Sequence, residues 1–503
     1  MGAMNLAQSF VDAAAKHADR AAVRLGPDTA SYADLDRASA AVAGELRARG
    51  VRPGDPVGLM LPNVPQFPAV YYGILRLGGM VVPMNPLLKA REIDYYLGDS
   101  GARVLFAWQD VVGEAERGAE SRDATVLPVT SDHLDGTGST AEPVFPVTDR
   151  ADRDTAVILY TSGTTGRPKG AELTHGNLIE NARIVASDLL AVTPDDVVFG
   201  GLPLFHAFGQ TCALNAVQSA GGCVTMLPRF SPDKALALLA EHRVTIFEGV
   251  PTMYSALLGV PDRAAYDVSA LRVCISGGAA MPVEVLRAFE EAFGCVVLEG
   301  YGLSETSPVA SFNHPDRERR PGSIGTPVRG VQMQVVDPDG KPLPAGEVGE
   351  IAIRGHNVMK GYWRRPEDTA AAVKDGWFRT GDLGRVDDDG YFSIVGRKKE
   401  LIIRGGYNVY PRELEEVLHE HPEVAEAAVI GIAHPSLGEE VAAAVALKQG
   451  ASTTAEEIRA YVKDRVAAYK YPRYVWLVDE LPKNATGKVQ KSAIVPPAGV
   501  GER

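Results

Sequence analysis

AVILYTSGTTGRPKG, residues 156–170, carries an apolar run of strand length straight into a loop of glycines and hydroxyls. Ala156 to Tyr160 reads as a short buried strand, and Thr161 to Gly170 as the loop that leaves its end. Gly163, Gly166 and Gly170 let the backbone turn tightly and approach a ligand. Hydroxyls at Thr161, Ser162, Thr164 and Thr165, exposed N–H groups and the Lys169 ammonium together make a cradle for phosphate. It is not a Walker A loop, because Pro168 stands where the second glycine belongs. A phosphate cradle at the end of a strand points to an α/β protein.

Outward from that stretch the pattern repeats. Val57–Leu61, Val81–Pro83 and Val104–Phe106 read as strands, with a helix over Pro68–Leu77 between the first two. Such alternation predicts mostly parallel, helix-covered sheet. Residues 115–153, with DGTGST inside, read as a polar surface excursion. Beyond about Gly322 the strands shorten and turns such as DPDG (337–340) and DDDG (387–390) suggest hairpins, hence a β-rich subdomain. After GRKKELIIRGG (396–406) comes a compact α+β pattern. Its helices are expected over a run opening at Pro411 and over Ala455–Ala467, its strands at Val424–Ile432, Val441–Leu447 and Tyr474–Val478. The charged run Arg397 to Glu400 between the two units reads as a linker or a hinge.

The chain has 503 residues, 45% hydrophobic and 23% charged, which excludes a disordered or collagen-like protein. A net charge of −13 argues against nucleic-acid binding, which needs a cationic footprint. Locally, residues 463–491 carry seven basic and three acidic side chains, a patch able to attract phosphate. Cys212, Cys223, Cys274 and Cys295 lack metal or disulfide spacing and read as small buried hydrophobes of a reducing compartment. The opening MGAMNLAQSF has no signal-peptide pattern and no apolar run reaches 18 residues, so a cytoplasmic setting without a transmembrane segment is expected.

Four further motifs bear chemistry. SGGAA (276–280) and EGYGLSET (299–306) each follow a strand, Leu271–Ile275 and Cys295–Leu298, where α/β sheets bind ligands. Tyr301 could stack on a purine, and Glu305 suits Mg²⁺, which takes one or two carboxylates beside substrate phosphates. Asp382 in RTGD (379–382) is either a turn cap or an acceptor for ribose hydroxyls. Lys488 closes the exposed loop PKNATGK (482–488), and His206 sits among aromatic and small residues in PLFHAFG (203–209). No G-x-S-x-G, H-E-x-x-H or metal-spaced Cys/His set is present, so hydrolase readings lack their core features.

In order and spacing, TSGTTGRPKG, YGLSE, RTGD, GRKKELIIRGG and PKNATGK resemble the motifs of the adenylate-forming acyl-CoA synthetase superfamily, across essentially the whole chain. The texture is nearest to bacterial fatty-acid and medium-chain acyl-CoA ligases. The resemblance implies a large N-terminal domain of layered helix-covered sheets, residues 1–396 with a β-rich subdomain at about 322–396. A hinge at 397–400 and a small mobile α+β C-terminal domain, 401–503, complete the expected architecture. It implies that a carboxylate attacks the α-phosphate of Mg·ATP and that coenzyme A then takes the acyl group from the acyl-adenylate. Thr161, Ser162, Gly163, Thr164, Thr165, Gly166 and Lys169 would hold the β and γ phosphates. Gly278, Ala279, Ala280, Glu299, Gly300 and Tyr301 would form the adenine slot, Ser304 would meet the α-phosphate, and Glu305 would hold Mg²⁺. Asp382 and Arg397 would grip the ribose, Lys399 would be the hinge residue, and Lys488 would bridge carboxylate and α-phosphate. Gly405, Gly406 and Tyr407 would line the coenzyme A tunnel, and His206, Phe208, Val250, Gly302 and Val309 the acyl pocket. Ser304 departs from the commoner Thr but keeps the hydroxyl.

The pocket segments, 206–216, 248–254, 277–280 and 302–309, offer mainly apolar or small side chains. No Asp is placed for an α-amino group and no Arg for a second carboxylate, so an apolar monocarboxylic acid, medium- or long-chain or aryl, is expected. The alternatives are an acyl-AMP ligase loading an acyl carrier protein, a luciferase-type oxygenase, and a catalytically silent acyl-nucleotide-binding protein. Relatives of this kind are monomers or homodimers.

Overall fold

A computed structural model describes residues 5–132, 134, 145–161, 167–484 and 487–500. The DGTGST segment and Ser162–Gly166 therefore lie outside the described residues.

The strand–helix alternation resolves into two mostly parallel sheets. In the seven-stranded sheet, Thr155–Thr161, Met80–Pro83, Pro56–Met60, Val104–Trp108 and Thr125–Val129 run parallel. Lys169–Thr174 and Gly361–Tyr362 complete it as antiparallel strands. The nine-stranded sheet is parallel through Val296–Gly302, Val273–Ser276, Ile246–Gly249, Val197–Gly200, Cys223–Met226 and Ala21–Leu25. Its edges, Asp28–Ser31 on one side and Val309–Phe312 with Thr326–Pro327 on the other, are antiparallel. Helix Gln66–Leu77 is buried along its whole length, as an all-round apolar sequence requires. Tyr72 there stacks on Phe10 at 4.4 Å between ring centres.

Two expectations change here. The polar stretch 115–153 contains the end of helix Val112–Ala119 and the edge strand Thr125–Val129. Only Leu127 and Val129 of that strand turn fully inward, and polar neighbours masked the alternation. The strand over Cys295–Leu298 is displaced and longer, running Val296–Gly302, so EGYG is itself sheet rather than the loop after it.

The β-rich region forms an antiparallel sheet of Val331–Val336, Gly349–Gly355, Trp377–Val386, Phe392–Arg397 and the short Val373–Lys374. DDDG is the tight turn between two of these strands, the Gly390 N–H donating to Asp387 O at 3.1 Å. DPDG also turns a short hairpin, with Val336 bridged antiparallel to Pro342 and the Leu343 N–H donating to Val335 O at 2.8 Å, while the longer partner of the preceding strand is Gly349–Gly355.

The C-terminal domain has its own sheet, Tyr407–Val409, Ile402–Arg404, Gly438–Leu447, Val424–His434 and Tyr474–Val478. Leu414 and Leu418 of helix Pro411–His419 pack with Ile458 and Val462 in a separate apolar cluster, the mark of a distinct folding unit. Helix Ala455–Lys463 stops four residues before the expected Ala467, with Asp464 as its C-cap. All four cysteines are buried and unpaired. Among the described residues no helix is long and apolar enough to cross a membrane.

Candidate active site

The Gly/Thr-rich stretch joins two antiparallel strands, with Thr161 paired opposite Lys169. The residues between, Ser162–Gly166, lie outside the described residues. Thr161 Oγ1 donates to Glu305 Oε1 at 3.2 Å, and Tyr362 Oη donates to the same oxygen at 3.1 Å. Glu305 reaches them from the short helical turn Ser304–Thr306, which follows the strand Val296–Gly302 of the other sheet. Lys169 Nζ pairs with Asp368 Oδ1 at 2.5 Å. One carboxylate flanked by hydroxyls is a donor set that suits Mg²⁺ beside phosphates. Among the described residues no cluster of three His, Cys, Asp or Glu side chains exists.

Asp382 and Arg397, chosen from separate motifs, are directly opposite residues of two antiparallel strands. Asp382 Oδ2 accepts from Tyr301 Oη at 2.6 Å, and Arg397 Nε lies 3.1 Å from Oδ1. Burial raises the Asp382 carboxyl, opposed by the Arg397 charge and by the Tyr301 hydrogen bond.

Gly278 bends at φ +80°, and Ala279 and Ala280 after it are exposed. The Glu299 carboxylate is buried beneath this turn and accepts from the Met281 N–H at 3.1 Å, so its side chain holds the turn in place. Burial pushes that carboxyl up to about 7, although Arg412 stands 3.9 Å away. Gly300 leaves no room for a side chain, since a Cβ there would lie 2.1 Å from the Phe312 ring.

Lys488 arrives from the C-terminal domain. Its stem crosses Gly278 so closely that a Cβ on that glycine would sit 2.9 Å from Cε and 3.3 Å from Nζ. Thr252 Oγ1 fastens the loop by donating to Gly487 O at 3.1 Å. Lys488, Gly278, His206, Phe208, Gly209, Val250, Leu202 and Pro203 enclose one small pocket. Burial and the Arg397 charge lower the Lys488 ammonium to about 8, against the pull of Asp382. The same enclosure, with Lys488 nearby, lowers His206 to about 3. The ring is therefore neutral, and because Nδ1 accepts from the Phe208 N–H at 3.4 Å its proton resides on Nε2.

Other expected residues stand apart. Gly302 and Val309 pair in the strand ladder, and a Cβ on Gly302 would lie 1.8 Å from Pro308 O. Gly405 and Gly406 turn a hairpin of the C-terminal domain, where Tyr407 is 58% exposed and stacks on Tyr469. Lys399 is exposed in the single helical turn Lys398–Glu400 that follows the strand Phe392–Arg397.

Sequence reading missed Tyr362, Asp368, Arg412 and Glu248. Tyr362 reaches Glu305 only because the two-residue strand Gly361–Tyr362 joins the seven-stranded sheet, and nothing local marks it. Glu248 sat within a segment read as apolar. It is a fully buried carboxyl on the strand Ile246–Gly249.

A Gly/Thr-rich stretch between paired strands, an Asp–Arg pair and a lysine lent by a second domain match a known family. The AMP-binding enzyme model matches residues 10–363, and the AMP-binding enzyme C-terminal domain model matches residues 413–488. The chain belongs to the AMP-binding enzyme family. Among its relatives, the long-chain-fatty-acid–CoA ligase of Bacillus subtilis is 36% identical, covering 97% of this chain and 93% of its own. The feruloyl-CoA synthase of an Amycolatopsis species is 39% identical over 94% and 95%. ATP-bound MatB of Rhodopseudomonas palustris superposes with a TM-score of 0.91 at 37% identity, covering 98% of both chains. The adenylate-forming family expected from the motifs is therefore the right one, and its members share this mixed α/β body and separate C-terminal domain.

Proposed function

We propose that this AMP-binding enzyme activates a carboxylic acid as its acyl-adenylate and transfers the acyl group to coenzyme A. The observation that carries the reading is Lys488, seated by the C-terminal domain over Gly278 and beside His206 in the enclosed pocket. A carboxylate oxygen attacks the α-phosphorus, a C–O–P link forms, and the bond to the pyrophosphate leaves with its electrons. Negative charge is redistributed over phosphoryl oxygens, so fixed cations and hydrogen-bond donors there lower the barrier. Lys488 would be the cation at that point. The hydroxyls of Thr161 and Ser304 and the Lys169 ammonium would meet the phosphates. Lys169 must then exchange its pair with Asp368 for phosphate. Asp382 and Arg397 would take the ribose, and the Gly278–Ala280 turn and Gly300–Tyr301 the adenine. Glu305 would hold Mg²⁺, whose chemistry when bound is to neutralise phosphate charge.

In the second half-reaction the thiol of coenzyme A adds to the activated carbonyl, loses its proton and expels AMP. Lys488 lines the pocket, while Gly405, Gly406 and Tyr407, the residues proposed for coenzyme A, are exposed and are not part of its lining. A rotation of residues 401–503 about Lys399 would exchange the two. Neutral His206 would then shape the approach by donating from Nε2. The acid would be a monocarboxylic acid with an apolar body, aliphatic or aryl, since Phe208, Val250 and Leu202 line the pocket.

Pyrophosphate release with ATP, Mg²⁺ and acids from acetate to palmitate, plus aryl acids, tests the reading. Acid-dependent pyrophosphate followed by coenzyme-A-dependent AMP release is expected. No acid-dependent pyrophosphate from any of them would overturn it.

A further inference from the structure

Glu248 lies at 0% exposure, and neither carboxyl oxygen has a hydrogen-bond partner among the described residues. Buried polar groups are nearly always paired, so an orphaned carboxyl marks a partner supplied from outside. Its position indicates which one. Along Ile246–Gly249 side chains alternate. Phe247 packs on Tyr254 and Phe289 on one side of the sheet, and a Cβ on Gly249 would press against Phe247 and Tyr254 on that same side. Glu248 and Val250 thus point the opposite way, and Val250 lines the pocket beside Lys488. The helical segment Gly209–Ala216 packs against Val197–Gly200, the strand beside Ile246–Gly249 in the sheet. Phe208, just before it, reaches within 3.1 Å of where a Cβ on Gly277 would be, and Cys212 is one turn further in. The Cys212 thiol, raised chiefly by its burial, lies within electrostatic range of Glu248. Tyr254 is no partner, because its hydroxyl donates to Ile275 O at 2.7 Å.

Resting on the ligase reading above, we propose that Glu248 is a specificity-determining residue at the base of the acid pocket, selecting an acid whose far end carries a hydrogen-bond donor such as a hydroxyl. Two residues of strand span about 7 Å, so the donor belongs about one benzene ring away from the carboxylate held near Lys488. Burial holds the Glu248 carboxyl well above the usual range, which favours a hydroxyl or arylamine donor over a cation as its partner. A pocket built to hydrogen-bond one group discriminates strongly against the analogue without it, because the protein's own buried group is then left unpaired.

The test measures kcat/KM for pyrophosphate release with matched acids. These are benzoate against 4-hydroxy- and 4-aminobenzoate, cinnamate against 4-hydroxycinnamate, and unsubstituted fatty acids from acetate to palmitate. The intact chain should favour the best donor-bearing acid over its unsubstituted partner by at least about 100-fold. E248L should bring that ratio to one or below, and isosteric E248Q should lower it at least about tenfold. Both variants should melt no lower than the parent, which separates a specificity effect from misfolding. The proposal is overturned if unsubstituted acids win every pair, or if E248L and E248Q leave the ratio unchanged. It is also overturned if only fatty acids react, an outcome that leaves the ligase reading standing. Silence of the intact chain toward every acid would instead remove the ligase reading, and this assignment with it.

Discussion

Replacing Lys488 with methionine keeps the stem that crosses Gly278 and removes the charge. The ordinary lysine value of 10.5 falls to about 8 at this site, chiefly through burial. That difference corresponds to at most about 3 kcal/mol working against the seated cation before substrate arrives. The sign follows from proton linkage. The seated lysine binds protons more weakly than a solvated one, so the penalty is complete below about pH 8 and gone above the ordinary lysine pKa. In the empty protein below pH 8, Lys488→Met should therefore dock the C-terminal domain more firmly, slowing proteolysis of the 396–400 segment. With ATP and acid bound the balance inverts. Removing one preorganised charge-stabilising group from a reacting centre typically costs a factor of about 10²–10³ in rate, or about 3–4 kcal/mol. Acid-dependent pyrophosphate release should fall by that factor. Thioester formation from supplied acyl-adenylate and coenzyme A should change less than about threefold, because the proposed mechanism does not use the lysine in that half-reaction. Equal losses in the two assays would refute the argument, and so would a variant whose adenylation is intact.

Three further outcomes are expected. The kcat/KM for adenylation should fall above about pH 8 as Lys488 loses its proton, while His206, held down at about 3, should contribute no limb near the ordinary histidine value of 6.5. A limb at that value which vanishes in His206→Asn would contradict the burial argument. Asp382→Ala removes the acceptor shared by Tyr301 and Arg397 and should raise KM for ATP by about 10–100-fold, with a smaller change in KM for the acid; equal changes for both would place Asp382 elsewhere in the mechanism. Gly300→Ala drives a methyl to 2.1 Å from the Phe312 ring, an overpacking worth about 1–3 kcal/mol that should lower the melting temperature. An unchanged melt would mean that the ring can step aside.

The parts legible in the sequence were those whose signal is local. Strand-length apolar runs such as 156–160 and the turn chemistry at 387–390 act over a few residues, and the structure places a strand and a turn there. The strand Thr125–Val129 escaped because only two of its residues turn fully inward. Asp382 and Arg397 were chosen from different motifs, yet strand register sets them face to face, a relation no single segment displays. Tyr362 and Asp368 depend on a two-residue strand and the helix after it coming to lie against the phosphate hairpin. Glu248 was hidden for the opposite reason. Its neighbours are those of a core strand, and only burial on both sides turns one carboxyl among apolar residues into a question.

The meeting of Arg412 with Glu299 bears on how the two domains part. At 3.9 Å the pair is too long for a hydrogen bond, and Glu299 Oε2 and Arg412 Nη1 each stay unmatched among the described residues. A fastening of that quality is a spring catch rather than a bolt: it would bias the closed arrangement, yet give way cheaply in the rotation proposed above.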